Sequence, residues 1–136
     1  MKTITRMVSD EVYEAVNENG NRVTIDTRKV EERQNQSPTE LLLSALAACG
    51  AVDIVLMLKK RKKAVQDLII ETRGTRREDA PRFFTDIHCH YILTSADATE
   101  EEFQKIAHLA LEKYCSVASS LKSKVTFSVE IISPSR

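Results

Sequence analysis

The chain has 136 residues, the usual size of one domain, so we expect a single domain over residues 1–136 that needs no metal or disulfide to support its core. Twenty basic residues balance twenty acidic ones, so no overall charge attracts nucleic acid or an anionic membrane. Three cysteines are too few for a secreted disulfide scaffold, and the first six residues carry no apolar signal sequence, so a reducing cytoplasm is expected.

The N-terminal segment is predicted to form strands up to about residue 30. Apolar and polar residues alternate over 12–16, an Asn-Gly turn lies within 17–21, and a second strand follows at 23–25. The composition then becomes charged and polar over 26–36, which predicts a surface connection.

A helix start follows, with Ser37 as N-cap, Pro38 at the first helical position and Glu40 three residues after the cap. The predicted helix runs over 41–58 and ends in the basic run 59–63, where cations favour the negative end of the helix dipole. Its interior is apolar on all sides. Such a helix must be covered all round, so we expect a central buried helix, a second helix and a second subunit against it.

Eighteen residues are also just enough to cross a membrane. Asp53 would cost about 2.5 to 3.5 kcal/mol near the bilayer centre, and five of the eighteen residues are Ala or Gly, which contribute little to insertion. We therefore predict a buried helix and no membrane span.

The C-terminal half predicts a strand pair, a helix and a last strand. A weak alternation over 65–72 is followed by a polar connection at 73–81 and a strand at 83–94. A second capping box at Thr99–Glu102 opens an amphipathic helix, and alternation over 125–131 gives the last strand. The helix has an apolar stripe that matches a 3.6-residue period, formed by Phe103, Ile106, Ala107, Ala110, Tyr114, Val117, Ala118 and Leu121. The order of elements predicts an α+β fold.

Three cysteines and two histidines are the candidates for chemistry. Cys89 is expected to be a core residue on the inward face of the 83–94 strand, and His88 and His90 lie on the opposite face without a third ligand. We therefore expect no metal, and the scattered glycines form no phosphate loop, so no cofactor is expected. Cys49 and Cys115, taken singly, fit helix-packing cysteines as well as reactive ones.

Two motifs together resemble the OsmC/Ohr family. The run Ser-Pro-Thr-Glu-Leu-Leu-Leu-Ser-Ala-Leu-Ala-Ala-Cys at 37–49 resembles that family's Asn-Pro-Glu-Glu/Gln-Leu…Ala-Ala-Cys helix. Cys-Ser-Val-Ala at 115–118 is similar to its Cys-Pro-Val-Ser motif, at a comparable separation. The order of elements also matches over nearly the whole chain, and further details resemble an OsmC-like branch of the family.

The resemblance implies an intertwined homodimer whose central helices pack together against antiparallel sheets. It also implies thiol-dependent reduction of organic hydroperoxides in oxidative-stress defence. Cys49 would be the peroxidatic thiolate that becomes a sulfenic acid, Cys115 would resolve it to a disulfide, and an external dithiol would reduce that disulfide.

In the family an Arg lowers the pKa of the peroxidatic thiol, and a Glu at the start of the same helix holds that Arg. Asp-Thr-Arg at 26–28 resembles the family's Asn-Thr-Arg, which makes Arg28 the candidate cation and Arg33 the reserve. The position of the family's Glu is occupied by Thr39 here. Asp53 lies one helical turn after Cys49, where it would either oppose ionisation or orient the Arg.

The departure at Thr39 keeps a second hypothesis open. The chain would then be a non-enzymatic OsmC-like protein that senses redox state or binds a small hydrophobic ligand. Catalytic turnover of peroxide by Cys49 separates the two hypotheses.

Overall fold

The computed structural model describes residues 1–134, and their six strands and three α-helices confirm the α+β class. The strands are β1 Thr3–Ser9, β2 Val12–Asn17, β3 Arg22–Asp26, β4 Asp67–Arg76, β5 Phe84–Thr94 and β6 Lys124–Ile132. The helices are α1 Pro38–Lys60, α2 Glu100–Leu109 and α3 Ser116–Ser119, with a 3-10 turn at Val30–Glu32 and a π-helical turn at Ala110–Tyr114. The chain forms two compact units, residues 1–42 and residues from 43 onward.

The first unit contains an antiparallel sheet in the order β1-β2-β3. The Asn17 side chain accepts hydrogen bonds from the backbone N–H groups of Asn19 and Asn21, at 3.0 and 2.9 Å, and Gly20 adopts the positive φ of 84° that the turn requires. The predicted Asn-Gly hairpin is thereby confirmed.

The segment after β3 is largely the surface connection that the sequence predicts, because most of residues 27–36 are exposed. Asp26 at its start is the exception, since it is inaccessible to solvent. Its backbone N–H donates to the Gln36 carbonyl at 3.0 Å, so the two ends of the segment are held together. The sequence pattern shows charge but not the local partners that make burial of a charge possible.

The predicted N-terminus of α1 is confirmed in detail. The Glu40 N–H donates to Ser37 Oγ at 3.2 Å, and the Ser37 N–H donates to the Glu40 carboxylate at 3.0 Å. This reciprocal pair is a complete capping box, which fixes the first helical residue at Pro38.

The basic end of α1 is also ordered by local bonds. Lys62 adopts a positive φ of 58°, and the Lys63 N–H returns to the Leu58 carbonyl at 3.0 Å. Arg61 and Lys63 lie 3.5 and 3.7 Å from the carboxylate of Glu102. The end of α1 is therefore tied to the first turn of α2.

The second unit contains a sheet in the order β4-β5-β6. β4 and β5 pair antiparallel, and β4 continues to Arg76 where a polar connection was predicted. β5 and β6 pair in parallel, which corrects the expectation of antiparallel sheets only. The α2 segment between β5 and β6 returns the chain to the edge at which β5 began, as a parallel pair requires.

The predicted inward face of β5 is confirmed, because Ile87, Cys89, Tyr91 and Leu93 are all inaccessible to solvent. α2 begins with the predicted cap, in which Thr99 Oγ1 accepts from the Glu102 N–H at 3.2 Å.

The helix after Thr99 is not regular over its predicted length, which corrects the expectation of a single helix with a 3.6-residue period. α2 ends at Leu109, the π-helical turn takes the chain to Tyr114, and Cys115 has an extended backbone with φ −75° and ψ 101°. A π turn inserts an extra residue, so positions after it change face. Tyr114, predicted on the buried stripe, is 49% exposed, and Cys115 is 1% exposed.

α1 buries only a narrow stripe within this chain. Its buried residues stand at every fourth position, namely Leu46, Gly50, Ile54 and Leu58. Val52 and Leu56 are more than half exposed, as are Ile4 and Met7 in the first unit. By length and composition alone α1 would also suffice to cross a membrane, a test that the core helix of a soluble protein passes equally.

We predict that a second copy of the chain covers this exposed apolar face of α1. Light scattering should show a dimer at micromolar concentration, and Val52→Glu with Leu56→Glu should convert it to monomer, because burying two carboxylates is costly. Glu101→Lys on the exposed face of α2 is the control and should leave the dimer intact. A folded wild-type monomer at micromolar concentration would contradict the prediction.

Candidate thiol site

Cys49 lies on α1 at the edge of its buried stripe. The residue is half-buried, and Gly50 beside it belongs to the stripe. Asp53, one turn further on, is also half-buried. The position leaves the Cys49 thiol in contact with the core while part of the residue remains accessible.

Cys115 is placed by the break between the π-helical turn and α3. Its Sγ accepts a hydrogen bond from the Ala118 N–H at 3.4 Å. Burial raises the pKa of the Cys115 thiol, the Ala118 N–H offsets part of that increase, and the neighbouring Cys49 thiol raises the pKa of Cys115 further. The structure therefore brings the two predicted redox cysteines together, and both are free thiols.

Tyr91 projects from the inward face of β5 toward Gly50, the residue after Cys49. A Cβ atom added at Gly50 would lie 2.9 Å from Tyr91 Oη and 3.8 Å from a methyl of Leu111 in the π-helical turn. The glycine next to Cys49 is thus what leaves room for the hydroxyl. Burial, together with the nearby thiols of Cys89, Cys115 and Cys49, raises the pKa of Tyr91 far above its usual range.

Cys89, expected to be a core residue, is inaccessible to solvent. Burial raises the pKa of its thiol, and the neighbouring hydroxyls of Tyr91 and Thr72 partly offset that increase. A thiol held protonated in this way is a poor nucleophile.

Arg28, the predicted cation, is held by a carboxylate of its own unit. Its Nε and Nη2 donate to the two oxygens of Asp26 at 2.9 and 2.7 Å. The same carboxylate accepts from the backbone N–H groups of Arg28 and Gln34, at 3.2 and 3.0 Å. The Arg28 guanidinium hydrogen-bonded to Asp26 lowers the pKa of that carboxyl well below its usual range, and Asp26 in turn raises the pKa of Arg28.

The remaining predicted residues around the start of α1 serve local structure. Arg33 donates through Nε to the Arg28 carbonyl at 2.8 Å and lies 3.5 Å from the Glu40 carboxylate. The Thr39 hydroxyl is 3.4 Å from that of Ser37. Glu40 is engaged by the capping box, whose hydrogen bonds from Ser37 lower the pKa of its carboxyl.

The two histidines on the outer face of β5 are bonded to β6. His88 reaches Thr126 and Ser128 at 2.7 and 2.9 Å, and His90 reaches Ser128 at 2.6 Å and Glu130 at 3.2 Å. Across residues 1–134, no group of three or more His, Cys, Asp or Glu side chains is arranged to hold a metal ion.

Two residues of interest were missed by sequence reasoning. The pattern placed Asp26 in a polar connection, although Arg and a carboxylate that lie close together can form a bidentate pair. Tyr91 was assigned to the core by its period-two pattern with Cys89. That pattern predicts which face of the strand Tyr91 lies on, but it does not predict which groups surround the Tyr91 hydroxyl.

The chain resembles known proteins in sequence and in structure. A family model described as OsmC-like protein matches residues 31–130. Protein YhfA of Escherichia coli K12 is 40% identical over 98 residues, which cover 71% of this chain and 73% of that protein. An OsmC-like protein from Mycoplasma pneumoniae has a TM-score of 0.84 at 20% identity over 96% of both chains. The organic hydroperoxide resistance protein OhrB of Bacillus subtilis has a TM-score of 0.63 at 18% identity over 96% of both chains. These structural matches confirm the expected fold.

Because Tyr91 lies so close to Gly50, we predict that Gly50→Ala lowers the free energy of unfolding instead of raising it, as this substitution usually does inside a helix. Gly→Ala inside a helix ordinarily stabilises by about 0.5–1 kcal/mol, but Gly50→Ala should destabilise by about 1–3 kcal/mol, because the new methyl overlaps Tyr91 Oη. In a Tyr91→Phe background the nearest ring atom is 3.8 Å away, so the same change should be neutral or stabilising. Urea unfolding of the four proteins in this cycle measures it. Equal effects of Gly50→Ala in both backgrounds would refute the contact.

The Asp26–Arg28 pair predicts a dependence of stability on pH. The pKa of Asp26 is lower in the folded chain than its ordinary value of 3.8, so its contribution is complete above that value and is lost as the pH falls below it. Asp26→Asn should therefore reduce the free energy of unfolding most at pH 7, somewhat less at pH 3 and less again at pH 2. Asp10→Asn, at an exposed position of the same unit, is the control and should change neither value. A constant effect of Asp26→Asn across this range would contradict the assignment.

Proposed function

Because the chain belongs to the OsmC-like family, we propose that it reduces organic hydroperoxides with Cys49 as the attacking thiol and Cys115 as the resolving thiol. The observation that carries this proposal is that a half-buried Cys49 neighbours a buried Cys115 whose thiol pKa is raised. A lone packing cysteine would have no second thiol in reach.

The proposed reaction has three steps. The Cys49 thiolate attacks the terminal oxygen of the hydroperoxide, the O–O bond breaks, and the alkoxide that leaves takes up a proton to become the alcohol. The Cys115 sulfur then attacks the resulting sulfenic acid, so that an S–S bond forms while the hydroxyl leaves as water with the Cys115 proton. An external dithiol reduces the disulfide by two exchange steps and is itself oxidised to a disulfide.

The protonation of Cys115 supports this division of roles. Because its pKa is raised, Cys115 keeps its proton at neutral pH and donates a hydrogen bond to a Cys49 thiolate. The same proton is needed later to remove the hydroxyl as water. Cys49, the more accessible of the two, is the sulfur that a peroxide reaches.

We propose Arg28 as the cation that favours the Cys49 thiolate, with Arg33 as the reserve. An Arg held by two parallel hydrogen bonds to a carboxylate is fixed in orientation, which a solvated Arg is not. Asp26 thus supplies the kind of support that the family's Glu gives, and Thr39 need not be a carboxylate for Arg28 to be held.

The partners proposed for this activity are a second copy of the chain, a small organic hydroperoxide and an external dithiol. A reducing cytoplasm, in defence against oxidative stress, is the proposed setting, since the disulfide must be reduced after each turnover.

We predict that the protein consumes tert-butyl hydroperoxide in the presence of dithiothreitol. Cys49→Ser should abolish consumption, because no other residue in the scheme supplies the attacking thiolate. Cys115→Ser should allow rapid oxidation of one equivalent but lower multiple turnover at least about tenfold, since the sulfenic acid then lacks its intramolecular partner. Cys89→Ser is the matched control and should retain activity. If the wild-type protein turned over no hydroperoxide, the sensing or ligand-binding alternative would be favoured.

A further inference from the structure

One buried polar group has no role in the reaction just described. Tyr91 is inaccessible to solvent, and its hydroxyl finds no partner with hydrogen-bond geometry among residues 1–134. Buried polar groups in folded proteins are nearly always paired, because an unpaired one forfeits the hydrogen bonds it made to water. A phenylalanine would fill this core position without that cost, so the hydroxyl requires an explanation.

The position of the hydroxyl shows which groups it serves. Oη lies against the backbone of Gly50, immediately after Cys49, and Leu111 of the π-helical turn that leads to Cys115 lies on the other side of that glycine. The thiol that acts on it most strongly is that of Cys89 on its own strand, followed by those of Cys115 beyond the turn and Cys49 on α1. The hydroxyl therefore lies among three thiols, two of which are the proposed redox pair.

We propose that the Tyr91 hydroxyl is the hydrogen-bond donor to the Cys49 sulfur when that sulfur is ionised. The catalytic role of this hydrogen bond rests on the proposed function, but the hydrogen bond itself would form in a protein without peroxidase activity. In the resting thiol pair the sulfur is a weak acceptor, which leaves the hydroxyl without a good partner. A thiolate is a strong acceptor, and hydrogen bonds to charged groups are stronger than neutral ones.

A tyrosine fits this task because it stays protonated. Its raised pKa means that the phenol does not ionise at neutral pH and does not take part in proton transfer. The proton remains on Oη through the attack on the peroxide and through disulfide formation. The hydrogen bond thus favours the Cys49 thiolate over the thiol, and Tyr91 neither gives up nor gains an atom or electron during the reaction.

The neighbouring Thr72 provides a matched comparison. Its hydroxyl is also buried and without a hydrogen bond among residues 1–134, and it neighbours Cys89. Thr72→Val removes one buried hydroxyl of the same core, as Tyr91→Phe does. The Thr72 hydroxyl acts on the Cys89 thiol, whereas the Tyr91 hydroxyl also lies near the thiols of Cys115 and Cys49.

The test is the pH dependence of Cys49 alkylation by iodoacetamide, followed on the Cys49 peptide by mass spectrometry in the full-length protein. Tyr91→Phe should move the midpoint upward by about one pH unit and slow alkylation at pH 7 about tenfold, the size expected for one hydrogen bond to an anion. Thr72→Val should leave the midpoint unchanged. Circular dichroism checks that each variant is folded.

Gly50→Ala gives a second route to the same result, since its methyl displaces Tyr91 Oη from the thiol pair. It should also raise the Cys49 midpoint, and adding Tyr91→Phe should raise it no further. An unchanged midpoint in Tyr91→Phe, or an equal shift in Thr72→Val, would overturn the proposal. Alkylation uses no peroxide, so a protein without peroxidase activity would still give a clear answer about Tyr91.

Discussion

The arrangement of the second unit depends on the fact that α1 buries only one narrow stripe of its surface. Only every fourth residue from Leu46 to Leu58 is covered, and these residues pack with the inward face of β5 in one core. At the middle of this stripe stands Gly50, whose missing side chain lets the Tyr91 hydroxyl reach the helix backbone. That contact places the neighbouring Cys49 against the core without enclosing it. A larger residue at position 50 would separate helix and strand at the point where the thiol lies.

The second half of the site depends on a defect in a helix. After Leu109 the backbone takes a π-helical turn and then an extended residue, so Cys115 leaves the regular helical path. Its sulfur accepts a hydrogen bond from the Ala118 N–H and lies near the Cys49 thiol, and burial raises the pKa of Cys115. Local departures of this kind cost energy, and surrounding contacts must hold them. Here the turn is anchored by the buried residues Ala110 and Leu111.

Patterns that act locally allowed much of the fold to be predicted. The capping box at Ser37, the turn at Gly20 and the alternation along β5 each depend on residues close in sequence, and each was confirmed. The π-helical turn was missed because a 3.6-residue period was assumed throughout. The parallel pairing of β6 and the burial of Asp26 depend on partners distant in sequence or on backbone donors, which composition does not show. The resemblance identified Cys49 and Cys115 as the proposed redox cysteines, whereas the position of the Tyr91 hydroxyl is evident only from the structure.

The central claim is that Cys49 and Cys115 form one redox pair. The most direct measurement is a non-reducing peptide map of the protein by mass spectrometry after one equivalent of an organic hydroperoxide. The account predicts a Cys49–Cys115 disulfide within one chain, with Cys89 reduced, and a Cys49 sulfenic acid trapped by dimedone in Cys115→Ser. Cys49 that stays reduced, or a disulfide that joins Cys89 instead, would contradict it.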